Sequence, residues 1–144
     1  MTNIHIPQIP WSSRFETGVA EMDDDHRHLL GLLNCLAEAC GKSCRESTLE
    51  VFARIEVFLL EHFAREEALF DRCDDECARQ HREEHRQMYN EIGHQLEDLY
   101  EADYSLTSVA AFLHGWLLRH ITTSDCQLGK RLNPLHHPRQ ACAA

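Results

Sequence analysis

No window of this 144-residue sequence approaches the roughly 18 to 20 unbroken apolar residues that a helical membrane span requires, so no segment is expected to enter a bilayer. Positive charge is also scarce: 14 Lys and Arg stand against 24 Asp and Glu, a formal net charge of -10. Phosphate backbones are held by clustered Lys and Arg, and the deficit argues against a nucleic-acid partner. The one weak basic cluster, Lys130 and Arg131 with Arg139 further on, reads as a solvated C-terminal stretch. The opening MTNIHIPQIPWSS lacks the basic start and apolar run of a secretory signal, so a cytoplasmic location is expected. The seven cysteines (Cys35, Cys40, Cys44, Cys73, Cys77, Cys126 and Cys142) include no CxxC. An odd count without a secretory signal favours free thiols over a disulfide framework.

What is present is helical periodicity. The length fits one domain spanning 1–144, with a leader over 1–20 and a flexible tail over 134–144. Apolar residues recur at helical spacing from Met22 through Leu36, giving a first helix from about Glu21 to Cys40 with Asp23 to Asp25 favouring its start. Leu49, Phe52, Ile55, Leu59, Phe63 and Phe70 predict a second helix reaching about Arg72. Met88, Ile92, Leu96 and Leu99 predict a third, ending near Glu101. A fourth, from Ser105 or Leu106, carries Val109, Leu113, Trp116, Leu117 and Ile121, and loosens near Asp125 before a last turn up to Asn133. Short connections imply an all-α, up-down-up-down four-helix bundle with an extended N-terminal leader and a short C-terminal helical turn.

Five histidines and two carboxylates then stand out: His26, His62 with Glu66, His81 with His85, and His120 with Asp125. The pairs in HFARE and HREEH are spaced i, i+4, roughly 40° apart on one helix face, so each can grip one metal centre. Alternating helix direction puts all seven residues at the same end of the bundle. Imidazole with carboxylate suits first-row transition metals. Seven such ligands exceed one ion, but two ions sharing the carboxylates would use them all and leave one position open. The other histidines (His5, His28, His94, His114, His136 and His137) do not join the cluster and read as solvated. One pair resists: His120 and Asp125, five residues apart, lie roughly 140° apart on an ideal helix and converge only if the helix end unwinds. Yet Asp125 is the only acid between Leu106 and Asn133, which singles it out.

With FETGVAEMDDDHRHL, EHFAREEALF, HREEH and WLLRHITTSD in that order, the sequence resembles the hemerythrin family, specifically its single-domain bacterial members. The resemblance runs from Trp11 to about Leu132. It implies two iron ions with an oxo or hydroxo bridge, further bridged by Glu66 and Asp125. His81, His85 and His120 would complete one iron, and His26 and His62 would sit on the other beside an open position for dioxygen. Apolar residues near the ligands would keep that position dry: Leu29, Leu30, Leu59, Leu113, Trp116, Leu117 and Ile121, with Met88 where the family commonly has phenylalanine. Asp25 stands where a glutamine commonly precedes the first histidine, which alters hydrogen bonding behind the ligands. The expected function is reversible dioxygen binding for storage, transport or delivery, not enzymatic turnover. The alternatives are a sensor of oxygen, nitric oxide or redox state, and a di-iron peroxidase or nitric oxide reductase. Cys73, Cys77 and Cys126 lie toward the ligand end and read first as small apolar fillers, with oxidation by escaping peroxide, which would make them a redox reporter, as the alternative.

Overall fold

A computed structural model describes residues 5–42, 44–70, 75–101 and 106–133. Helix α1 spans Ala20–Gly41, α2 Arg45–Leu69, α3 Glu76–Glu101 and α4 Leu106–His120; a π-helical turn, Ile121–Asp125, leads into α5, Cys126–Leu132. Neighbours in sequence pack as neighbours in space and α4 closes onto α1, so the bundle is the expected four-helix ring. The second helix ends at Leu69, with Phe70 at its C-cap. Its expected end at Arg72, like Cys73, Cys142, His136, His137 and the tail over 134–144, lies outside the described residues.

The main core is the apolar stripe of each long helix turned inward, including Leu29, Leu33, Leu36, Phe52, Ile55, Leu59, Leu113 and Leu117. A second cluster, Val19, Met22, Phe70, Ala78 and Leu128, closes the end of the bundle where α1 begins. Polar side chains buried between these two clusters are walled off from water along the bundle axis.

The leader is fastened to the bundle rather than draped over it. Asn34 pairs with both backbone groups of Ile9: the Ile9 N–H donates to Asn34 Oδ1, and Asn34 Nδ2 donates to the Ile9 carbonyl, each at 2.8 Å. At the start of α1, Val19 offers no side-chain cap. Gly18, at φ 87°, instead turns the chain so that the Thr17 N–H and hydroxyl both donate to Asp23 Oδ1 at 2.8 Å. Asp23 therefore anchors the leader, beyond the helix-dipole role expected for it. The same segment meets α5: Asn133 Nδ2 donates to the Gly18 carbonyl at 2.8 Å, and the Cys126 thiol faces the Arg14 and Glu16 carbonyls. Gly129 packs so tightly on Thr17 that a Cβ there would stand 2.2 Å from the Thr17 carbonyl oxygen.

One expectation fails here. His114 is not solvated but buried, 8% exposed, with its Nε2 unpartnered. Burial, only partly offset by a hydrogen bond to the Pro7 carbonyl, pushes its pKa down. Helical spacing sets it away from the metal cluster but says nothing of its burial, and the leader that covers it has no helical period to reveal it. His5, His28 and His94 are exposed, as expected.

Candidate metal centre

The structure brings all seven candidate ligands together. His26 comes from the start of α1, His62 and Glu66 from the end of α2, His81 and His85 from the start of α3, His120 from the last residue of α4, and Asp125 from the π turn. None is more than 5% exposed. Their ligand atoms form two overlapping groups, each within 4.8 Å: Glu66, His81, His85, His120 and Asp125 in one, and His26, His62, Glu66 and Asp125 in the other.

Each carboxylate divides its oxygens between the two groups. Glu66 Oε1 lies 2.8 Å from His81 Nε2 and 3.1 Å from His85 Nε2, whereas Oε2 lies 3.0 Å from His62 Nε2 and 3.6 Å from His26 Nε2. Asp125 Oδ1 lies 2.8 Å from His81 Nε2 and 3.1 Å from His120 Nε2, and Oδ2 lies 2.9 Å from His26 Nε2. Short as they are, these contacts are not aligned as hydrogen bonds. All four carboxylate oxygens, and Nε2 of His26 and His81, are buried without an aligned partner. Leaving such groups unsatisfied costs several kcal/mol apiece. Lone pairs aimed past one another fit cations lying between them.

The electrostatics favour positive charge at this centre. Burial opposes a charge on His26, yet Asp125 and Glu66 push its pKa up to about 10. His81 is likewise raised to about 10 against burial by Asp125 and Glu66, and His120 to about 9 by Asp125 and Glu84. For His85, burial wins and its pKa falls. Despite burial, the surrounding imidazoles hold Glu66 and Asp125 well below the usual carboxylate range.

The convergence of His120 and Asp125, refused by an ideal helix, is produced by the π turn. The Cys126 N–H reaches back five residues to the Ile121 carbonyl, and each such ring holds one residue more than an α-helical one. A five-residue spacing thus becomes the spacing of adjacent turns. The threonines of ITTSD bond back along the helix as it enters this turn: Thr122 Oγ1 donates to the Leu118 carbonyl at 2.7 Å and Thr123 Oγ1 to the Arg119 carbonyl at 2.6 Å, a back-bonding that bends helices.

Two further carboxylates hold ligand rings from behind. His62 Nδ1 donates to Asp25 Oδ2 at 2.9 Å, and Asp25 is clamped by Arg65 through Nε at 2.8 Å and Nη2 at 3.0 Å. The altered residue before the first histidine thus acts across the helix pair, on His62. His120 Nδ1 donates to Glu84 Oε2 at 3.0 Å, an oxygen that also accepts from Ser124 Oγ at 2.7 Å. Such partners fix the tautomer, so that Nε2 is the free ligand atom, and raise the basicity of the ring. Sequence reasoning missed Arg65 and Glu84, which look like ordinary solvated charges beside Glu66 and His85. It also missed Phe63, stacked on His85 at 4.0 Å, and Phe70, 4.9 Å from His81.

Of the apolar residues expected beside the ligands, Leu29, Leu30, Leu59, Met88, Leu113, Leu117 and Ile121 are all buried in the main core. Trp116 is only partly buried, and stacks on His120 at 4.5 Å. On the other side an open cleft of about 340 Å³ reaches His81 and Glu84, with Cys77, Ser124 and Lys130 among its walls. Cys77 is an exposed free thiol, whereas Cys126 is buried against the leader carbonyls.

An all-helical bundle with a buried, carboxylate-shared histidine cluster defines a class of metal-binding four-helix proteins. Comparison with known proteins makes this specific. The family model for the hemerythrin HHE cation binding domain matches residues 17–132, and the chain belongs to the hemerythrin family. Among curated relatives it is similar to a bacteriohemerythrin of Pseudomonas paraeruginosa, 23% identical over 115 residues covering 80% of this chain and 75% of that one. It is also similar to a hemerythrin-like protein of Naegleria gruberi, 27% identical over 116 residues covering 80% and 86%. Among solved structures, a leucine-to-tyrosine mutant of hemerythrin shares the fold with a TM-score of 0.77 at 20% identity, over 86% of this chain and 96% of that one. No helix among the described residues is long and apolar enough to cross a membrane.

Proposed function

We propose that this chain binds dioxygen reversibly at a di-iron centre, for storage or delivery. One ion would be held by His81, His85 and His120, the other by His26 and His62, with Glu66 and Asp125 shared. The observation that supports this most is the division of each carboxylate between a three-histidine group and a two-histidine group, which leaves the second group a ligand short. Two irons held there would supply reversible two-electron chemistry toward dioxygen, one electron from each ion.

The protein's own residues do the rest. Asp25 and Arg65 hold His62 at the two-histidine position, and Glu84 with Ser124 holds His120 at the other. Buried Leu29, Leu30, Leu59, Met88, Leu113, Leu117 and Ile121 keep water from that position, with Trp116 closing over His120. The test is anaerobic reduction of the iron-loaded protein, followed by cycles of oxygen addition and removal under visible absorption. Repeated return to the reduced spectrum is expected.

A second reading, a redox sensor or peroxidase, draws support from the cleft that leads from solvent to His81 past the Cys77 thiol. Immediate, irreversible oxidation in the same cycles, with loss of an accessible thiol, would favour it over oxygen carriage.

A further inference from the structure

Helix α2 carries two faces. One, with Phe52, Ile55, Leu59 and Phe63, is buried in the bundle, while Ala53, Val57, Leu60 and Ala64 point the other way and are exposed. Val57 is 60% exposed and Leu60 52%. Isolated apolar residues on a surface need no explanation, but these four are spaced 4, 3 and 4 and lie within about 60° of one another around the helix. That is the spacing of a helix–helix seam. Beside the seam, between α1 and α2, runs an apolar-floored groove of about 470 Å³ lined by His28, Leu32, Val57, Phe58 and Glu61.

We propose that this face is the interface of a homodimer in which α2 packs antiparallel against α2 of a second copy. The charges along the seam select the occupant. On the α1 side they read Glu50, Arg54, Glu61, Arg65, an order of minus, plus, minus, plus. Reversing the helix inverts every sign, so an antiparallel copy, whose two-fold axis brings the same flanks together, meets each charge with its opposite, whereas a parallel copy would turn this row away from its counterpart and leave the charges unmatched. With Val57 against the partner's Leu60 and Ala53 against the partner's Ala64, Arg54 falls beside the partner's Glu61, and Glu50 within reach of the partner's Arg65. Neither Glu50 nor Arg54 has an ion-pair partner among the described residues. Arg65 already clamps Asp25, so its contact is shared. Small residues at 53 and 64 keep the ends of the seam from holding the two helices apart, so Val57 and Leu60 can meet at its centre.

Sedimentation velocity under reducing conditions, from low micromolar to near-millimolar protein, tests this directly. The wild-type chain should show a concentration-dependent doubling of mass. Leu60→Glu should abolish it, and Arg54→Glu should raise the dissociation constant about tenfold or more by setting Glu against Glu twice per dimer. The double variant Arg54→Glu/Glu61→Arg should return it to within about threefold of wild type, because the swap restores both pairs. All three changes are on exposed side chains, and melting temperatures near wild type would confirm intact folding. A wild-type monomer at every concentration, a Leu60→Glu protein that still dimerises, or a double variant no better than Arg54→Glu would overturn the proposal.

Discussion

Replacing Gly129 by alanine sets two physical effects against each other, and the geometry decides between them. Gly129 lies inside α5, where alanine is favoured over glycine by about 1 kcal/mol of helix propensity. On that ground alone the variant would be more stable. Its new Cβ, however, would stand 2.2 Å from the Thr17 carbonyl oxygen, 2.7 Å from Thr17 Cβ and 2.8 Å from Thr17 C. Ordinary contact begins near 3.4 Å, so α5 and the leader must part by about 1.2 Å. The nearest obstacle is backbone, pinned by the Thr17–Asp23 hydrogen bonds, and cannot swing aside. Overpacking against so rigid a neighbour costs about 3 kcal/mol. Weakening the Asn133–Gly18 bond adds about 1 kcal/mol, for a net loss of about 3 kcal/mol. For a domain of this size that lowers Tm by roughly 10 °C. Gly93, within α3 and with open space around its missing Cβ, provides the control; Gly93→Ala should gain about 0.5–1 kcal/mol. Calorimetry of both variants checks the argument, and a Gly129→Ala protein as stable as wild type would refute it.

Three other outcomes are expected. Asp25→Asn keeps the shape but loses the carboxylate behind His62 and its Arg65 clamp, so iron affinity measured by chelator competition should fall about 10- to 100-fold, and an unchanged affinity would remove Asp25 from the site. Metal uptake at neutral pH should release about three protons, from His26, His81 and His120, whose pKa values of about 9 to 10 keep them protonated until a cation replaces the charge; release of none, in a weakly buffered dye assay, would contradict the electrostatics. The same shifts set the pH dependence of the apoprotein. Raised histidine pKa values give stability that is complete below about 6.5 and lost as pH rises through 9 to 10, and the lowered values of Glu66 and Asp125 give stability present above about pH 4.5 and lost on acidification. The depressed pKa values of buried His85 and His114 remove stability as pH falls below about 6.5. Thermal melts should therefore peak near pH 6.5, and a profile flat to pH 10 would be inconsistent with it.

Much of this architecture could be read from residue spacing. Helical period and HxxxE or HxxxH pairs are local properties, and antiparallel topology turns position along a helix into height in the bundle. That sufficed to bring His26, His62, Glu66, His81, His85 and His120 to one level. Asp125 could be singled out only by its isolation, because a π turn has no period of its own to detect; the donors of Thr122 and Thr123 are legible only once that turn is seen. Arg65 and Glu84 act across helix pairs, over 40 and 36 residues of sequence, and carry no local sign of their partners. The burial of His114 came from the leader, whose path depends on Asn34 and Asp23 rather than on any pattern within it.

The π turn also has a consequence for chain length. Its wider ring amounts to one residue inserted into an otherwise regular helix, so everything after it is set by that single addition. Deleting any one of Thr122, Thr123 or Ser124 and closing the ring to an α turn would put the aspartate four residues after His120, one ordinary turn away, so the segment beyond would keep its place. Straightening the same five residues into an α-helix without a deletion would instead turn the following segment by about 100° and push it on by about 1.5 Å, taking Asp125 out of the ligand cluster and Gly129 off its seat on Thr17. Ring size and chain length compensate here, and only a change in one without the other would uncouple the shared carboxylate and the leader together.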